Sequence, residues 1–257
     1  MILQHHGDEV LFITQIDHAR LSGDLARSWG NEAAPRSPLW DALITATDRH
    51  DDGWESHDAT PSVDEHGNIH DFLTAPMATR VAIYQAGVTA VADEPAPVRL
   101  LVSMHLTGLF RGRYEPDNPG FIEFLKDEDR ELAFGFVEAE EEAQATLHAD
   151  VGTDLWPHYR LLQLFDRLSL AFCMQPLDRL TRTTIEYVPL AAGDSSIDLW
   201  SDDGALVLDP FPYPEPFEVE LPFIRLKEPT WTSAEALVEA ISGAAKENQS
   251  FRVVPPT

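Results

Sequence analysis

Two imidazoles and two carboxylates carry the most chemistry in this chain. His50 and Asp51 form a doublet inside the run Arg49-His50-Asp51-Asp52-Gly53-Trp54, with His18 far upstream and Asp166 far downstream. Imidazole nitrogen and carboxylate oxygen are ligands for borderline and hard divalent cations, and a neighbouring pair at a helix end can place both donors on one ion. The chemistry expected of such a set is a metal-activated water, its pKa brought toward about 7 while the ion polarises the scissile group. Asp52, beside the doublet, and Asp58, in the following loop, are the candidate catalytic proton acceptors. His105 is a fifth candidate ligand. The competing reading is that these are core polar groups that satisfy one another by hydrogen bonds, which native cores tolerate when every partner is met.

The elements that must position these residues are helical as far as about residue 180. Leu21, Leu25 and Trp29 recur at four-residue spacing, and His18 falls on the same stripe, three residues before Leu21. A second helix is expected from Ser37 as N-cap and Pro38 at its first position, with Leu39, Leu43, Ala46 and His50 on one face and Gly53 as its stop. That puts His50 and Asp51 at the negative end of the helix dipole, which favours a cation. Residues 55–75, broken by Pro61 and Gly67, read as an ordered loop able to cover a site. Helices are expected over 77–91 and from about Pro97, where Val98, Leu101, Val102, His105 and Leu109 share a stripe. After Pro119 a long helical segment ends in the acidic run 138–142, read as a solvated face. In the segment from Asp154 to Cys173, Leu155, Tyr159, Leu162, Asp166 and Leu170 lie at helical spacing. A carboxylate on such a face needs a metal, an arginine or hydrogen-bond donors, because burying it unpaired costs several kcal/mol.

From residue 183 the apolar period changes to two. Strands are expected over 183–189, 197–200, 205–208 and 217–226, with a hairpin turn at Ser201-Asp202-Asp203-Gly204. Thr232-Ser233-Ala234-Glu235 is a capping box that opens a helix, and Phe251 to Val254 reads as a returning strand. The fold expected is therefore mainly α: a helical bundle over residues 1–180 that holds the metal, followed over 181–257 by a small antiparallel β region with one helix. This extension would pack on the bundle rather than stand as an independent domain.

Cys173 is the only cysteine among 257 residues, which leaves no intrachain disulfide and no cysteine-clustered zinc site. No apolar run approaches membrane-spanning length, and the first residues lack a basic segment and an apolar stretch, so a cytoplasmic protein is expected. The chain has 44 acidic against 18 basic residues, a net charge of -26. That field repels nucleic acid and anionic lipid and leaves a small-molecule substrate as the expected partner, with oligomeric state open. Only Lys126, Lys227 and Lys246 are lysine. An acidic surface so poor in lysine is similar to that of proteins from cells holding molar salt, where the Debye length shrinks to roughly 3 Å.

His18 on one helix, His50-Asp51 at the end of the next and Asp166 on a late helix resemble the His, His-Asp, Asp ligand order of the HD-domain metal-dependent phosphohydrolase superfamily. The stretches Thr14-Gln15-Ile16-Asp17-His18-Ala19, His50-Asp51-Asp52-Gly53-Trp54 and Ser103-Met104-His105 also resemble an uncharacterised prokaryotic family known only as a domain of unknown function. The HD resemblance covers residues 14–173 and implies a helical bundle with a divalent ion (Mn, Fe, Co, Ni, Zn or Mg) between His18, His50, Asp51 and Asp166. Some HD hydrolases carry a phosphate-holding lysine three residues after the metal-binding aspartate; this chain has Trp54 there. Arg20, Arg49, Arg111 or Arg113 would have to replace that charge. The resemblance implies a metal-dependent hydrolase acting on a phosphoester or nucleotide-like small molecule. The alternatives are an HD-type di-iron oxygenase, in which His70 and His105 add ligands, and a metal-containing binding module without catalysis.

The net charge generates one prediction independent of any site. Thermal unfolding followed by circular dichroism across a salt series should show the melting temperature falling steadily from molar salt to dilute buffer, as screening of the self-repulsion is lost. A melting temperature unchanged down to about 0.05 M salt contradicts it.

Overall fold

The computed structural model describes residues 1–116 and 118–257. Two strands precede the first helix, β1 (Ile2–His6) and β2 (Glu9–Ile13), joined at Gly7 with φ 66°. The run Val10-Leu11-Phe12-Ile13 is apolar without interruption because β2 is buried on both faces. Leu11 and Ile13 join the main core, while Val10 and Phe12 join a second cluster with Met1, Ile69, Leu226 and Leu237.

The helices follow: α1 (Gln15–Ser28), α2 (Trp40–Arg49), α3 (Glu55–Ala59), α4 (Met77–Ala90), α5 (Ala96–Phe110), α6 (Asp127–Val151) and α7 (Trp156–Cys173). Thr14 caps α1, its hydroxyl oxygen accepting the Asp17 N–H at 3.0 Å while its hydroxyl donates to the Asp17 carboxylate at 2.6 Å. α5 and α7 are apolar around most of their circumference and accordingly buried on nearly every side. α6 is solvated on one face and stops at Gly152, which takes the left-handed φ of 66° that glycine adopts without a Cβ clash. The rest of the chain forms β3 (Thr183–Leu190), β4 (Gly193–Asp202), β5 (Ala205–Asp209), β6 (Phe217–Leu226), α8 (Ala234–Gly243) and β7 (Lys246–Val254). The β4–β5 turn places Asp203 and Gly204 at φ 46° and 72°, the two positive values of a type I′ hairpin.

These strands form one seven-stranded mixed sheet in the order β1-β2-β6-β7-β5-β4-β3, with β5 and β7 parallel and the other neighbours antiparallel. This corrects the expected fold class. The protein is not a mainly helical HD-like bundle with a small C-terminal β appendage, because the sheet takes strands from both ends of the chain and one apolar core runs from Ile2 through the helices to Val253. The physical reason is pairing: β2 lies beside β6, with Phe12 opposite Ile224, which joins the first residues to the last third of the chain. β7 also begins earlier than its apolar residues indicate, since its polar first half is held by the ladder to β6 from Lys246 opposite Ile224 onward.

The sheet positions the rest. α1 lies between β6 on one side and α2 and α7 on the other, so its inward stripe meets both helices. α2 begins at Trp40, two residues later than the Pro38 start expected, and ends at Arg49 with His50 as its C-cap. A short 3-10 turn, Asp52–Trp54, then packs on α4 so closely that a Cβ on Gly53 would meet Ile83 O at 2.1 Å and Gly87 N at 2.6 Å.

This contact generates a paired prediction. Gly53→Ala should destabilise the protein by about 1–3 kcal/mol, since the clash is with backbone that must move. Gly135→Ala, at a mid-helix position of α6 where an added Cβ meets nothing within 4 Å, should stabilise it by about 0.5–1 kcal/mol. Denaturant unfolding of both variants checks the pair; a neutral Gly53→Ala contradicts the close approach.

Candidate metal centre

α1, the end of α2 and α7 deliver four donor residues to one point. His18 Nε2 lies 3.1 Å from Asp166 Oδ1 and 3.9 Å from Asp51 Oδ2; His50 Nε2 lies 3.5 Å from Asp51 Oδ2 and 3.9 Å from Asp166 Oδ1. All four residues are buried. Donor atoms around one ion at about 2.0–2.3 Å sit roughly 3–4 Å from each other. His18, His50 and Asp51 form a group with donor atoms all within 4.8 Å of one another that could hold a metal ion, and Asp166 Oδ1 lies 3.1 and 3.9 Å from the same two imidazole nitrogens. Mixed nitrogen and oxygen donors suit Mn, Fe, Co, Ni or Zn.

Hydrogen bonding around the ligands fixes their ring orientations. His50 Nδ1 is 2.7 Å from Thr47 O, a carbonyl that can only accept, so Nδ1 carries a proton and Nε2 is the nitrogen turned toward the cluster. That Nε2 is buried, has no hydrogen-bond partner and faces two carboxylates. On His18, Nδ1 lies 2.6 Å from Ser169 Oγ, and the same hydroxyl lies 2.9 Å from the His18 carbonyl. The Ser169 hydroxyl thus holds the His18 ring, and Nε2 lies in hydrogen-bond contact with Asp166 Oδ1 at 3.1 Å. This is the arrangement by which a second ring nitrogen orients a metal-ligating histidine.

The carboxylates are held differently. Burial pushes the Asp166 pKa up, but the Arg113 guanidinium, 2.8 Å from Oδ2, and the His18 hydrogen bond outweigh it and hold the carboxyl well below the usual range. Burial likewise raises Asp51, and His50 and His18 offset this only in part, so its carboxyl stays above the ordinary value. His105, on α5, stands edge-on to His50 with ring centroids 4.7 Å apart; burial, then His50, keep its pKa well below that of a free imidazole, and its Nδ1 is unpartnered.

The polar cluster opens into a cavity of about 50 Å³ walled by Trp54, Phe72, Tyr84, Leu109 and Leu170, with His105 and Arg113 also in its lining. On this scale a water needs roughly 10–15 Å³, so there is room for a few waters or one small head group. Of the four arginines considered from sequence, Arg113 alone lines it. Arg49 is bound to Asp52 and Glu94, Arg111 to Glu141, and Arg20 projects into solvent on the far side of α1.

The two expected proton acceptors lie elsewhere. Asp52 holds Arg49 Nε at 2.7 Å and borders an open groove with Arg20 and Asp24, outside the cavity. Asp58 takes the Met1 ammonium on one oxygen and the Gln15 backbone N–H on the other at 2.6 Å. His70, which a second metal would require, bonds Ser62 at 3.0 Å and is not in the lining. Sequence reasoning did not single out Thr47 and Ser169, although each sits three residues from a ligand on the same helix face. The choice of Arg113 as the Asp166 partner has no sequence signal. It depends on two consecutive left-handed residues, Arg113 at φ 59° and Tyr114 at φ 55°, whose carbonyls are clamped by Arg160 and Gln163 of α7.

The buried neutral His105 sets the sign of one pH dependence. In the unfolded chain it titrates near its ordinary value of about 6.5, while the fold holds its pKa well below that. Below about pH 6.5 the unfolded state therefore binds a proton that the folded state does not, and stability falls as pH drops, by up to about 1.4 kcal/mol per pH unit for this group. Urea unfolding of chelator-treated protein between pH 7 and 5 should show this fall, and His105→Leu should flatten it by about one proton. An unchanged slope in the variant contradicts the assignment.

A family model described as "Protein of unknown function (DUF3891)" matches residues 1–228. No curated protein and no solved structure matches the chain. The match lends no support to the HD-domain resemblance, which rests on ligand order alone. Among the described residues no helix is long and apolar enough to cross a membrane. With nearly nine-tenths of its length matched, the chain belongs to the DUF3891 family of proteins of unknown function.

Proposed function

We propose that this protein is a metal-dependent hydrolase of a small phosphoester or nucleotide-like molecule, with the ion held by His18, His50, Asp51 and Asp166. The observation that carries the reading is the His50 ring: its Nδ1 proton is committed to Thr47, and its Nε2, without a hydrogen-bond partner among the described residues, is buried against two carboxylates. Such a cluster calls for a cation, and imidazole with carboxylate is the donor set that divalent metals take. The ligand order also resembles that of the HD phosphohydrolases. A bound divalent ion would supply a water of lowered pKa and polarise the group under attack.

The remaining residues bind and orient. Arg113 Nη1, buried and unpartnered, is a donor available to an anionic oxygen, while Nη2 stays on Asp166. Trp54, Phe72 and Tyr84 exclude bulk water, which strengthens the pull of Arg113 on that oxygen. Asp52 and Asp58 are committed to other cations, so the proton acceptors left in the cavity are Asp51 and His105.

The test is a phosphoester screen of the purified chain loaded in turn with manganese, iron, cobalt, nickel, zinc and magnesium. Hydrolysis should appear with at least one metal; Asp51→Ala should lose both metal and activity, and Asp52→Asn should keep both. A parent protein that binds metal yet turns over no phosphoester would make the ion structural and favour a binding module. Metal-dependent oxygen consumption would favour the oxygenase.

A further inference from the structure

The charge and shape around this cavity narrow the substrate class, an inference that rests on the metal-centred reading above. Asp51 and Asp166 bring two negative charges to the cluster and Arg113 one positive charge. With neutral imidazole ligands, a divalent ion leaves one net positive charge. Among the described residues no other lysine or arginine lines the cavity, and the whole chain carries -26. One negative charge on the ligand is therefore balanced, and a second would be buried without a partner. A phosphomonoester dianion or a nucleoside polyphosphate does not meet that condition; a phosphodiester does.

Away from the polar cluster the cavity walls are apolar, formed by Trp54, Phe72, Leu109 and Leu170. The lining residue Phe72 adjoins an apolar surface group: Arg80 lies 5.3 Å over the Phe121 ring while donating to Leu73 O at 2.9 Å. Leu73 follows the lining residue Phe72 directly. Leu73 and Phe121 are 59% and 42% exposed, and Phe124, one 3-10 turn after Phe121, is 77% exposed. Large apolar side chains gathered this way on an otherwise highly charged surface mark a place where apolar ligand surface is buried. The cavity of about 50 Å³ takes only the reacting head, so the rest of the substrate lies outside it on this surface.

We infer that the site takes a monoanionic phosphodiester of an aryl or other apolar alcohol, with the phosphoryl oxygens at Arg113 and the apolar group along Leu73 and Phe121. Hydrolysis forms one bond from a water oxygen to phosphorus and breaks the bond from phosphorus to the alcohol oxygen. One water proton ends on the departing alcohol and the hydroxyl stays on phosphorus. The products are the free alcohol and a phosphomonoester, whose second charge at neutral pH weakens its hold on the site and favours release.

Calorimetric titration of the full chain in excess Mn²⁺ at about pH 8, where a phosphomonoester is a dianion, tests this with four probes: diphenyl phosphate, dimethyl phosphate, phenyl phosphate and AMP. Diphenyl phosphate should bind tightest, at least about ten-fold tighter than phenyl phosphate or AMP. Leu73→Ser and Phe121→Ser should each weaken it several-fold through lost apolar contact, with Mn²⁺ affinity and dimethyl phosphate binding unchanged. AMP or phenyl phosphate binding as tightly as diphenyl phosphate, or both variants binding it like the parent, overturns the inference. Binding in the expected order with no metal cleaving bis(4-nitrophenyl) phosphate leaves the ligand class standing and defeats the hydrolase reading. Failure of Mn²⁺ to bind defeats both.

Discussion

A buried imidazole nitrogen facing two buried carboxylates is the interaction on which the rest of this structure turns. Placed in a dry interior, Asp51 and Asp166 repel one another, and burial of either charge unpaired costs several kcal/mol. Arg113 answers for one oxygen of Asp166, and the His18 nitrogen stands against the other. Among the described residues no arginine or lysine pairs with Asp51, and its carboxyl is raised by burial. The surrounding architecture serves to hold this cluster in place. The sheet backs α1, α7 presses His18 through Ser169, and the Gly53–Gly87 contact brings the turn after His50 against α4.

The second feature that costs stability is the Arg113-Tyr114 turn. Two consecutive non-glycine residues in the left-handed region cost of order 1 kcal/mol or more each, and they persist because the surroundings over-determine them. Arg160 and Gln163 hold the turn's carbonyls, and the Tyr114 hydroxyl joins Thr107 and Glu141. Since Arg160, Gln163 and Asp166 share α7, one helix carries both the carboxylate and the clamp that brings its guanidinium partner. The acidic run of α6 is partly drawn into this support: Glu140 accepts from Ser103 and Glu141 from Arg111, so it is more than a solvated face.

The inward placement of His18, His50 and Asp166 was legible in the sequence because each falls on an apolar helical stripe, and a polar residue with that period has to point inward; Asp51 entered as the neighbour of His50. Adjacency in sequence misled in the case of Asp52. Successive residues at a helix end diverge by about 100°, and Asp52 turns toward Arg49 while Asp51 turns inward. Asp58 was a plausible acceptor by composition, yet it is consumed by the Met1 ammonium and the Gln15 backbone N–H, which flank the open end of the β1–β2 hairpin. The hairpin itself was not legible. A strand buried on both faces has no alternation, and its pairing with β6 spans most of the chain, beyond the reach of any local pattern. Arg113 was one of four arginines with equal standing until backbone geometry selected it.

The central claim is that His50 Nε2 meets a cation. A crystal structure of the protein grown with Mn²⁺, with anomalous differences recorded, tests it most directly. The account predicts one strong peak about 2.0–2.3 Å from His18 Nε2, His50 Nε2 and an Asp51 oxygen. A map without a peak there, with His50 Nε2 hydrogen-bonded to a protonated Asp51, would contradict it.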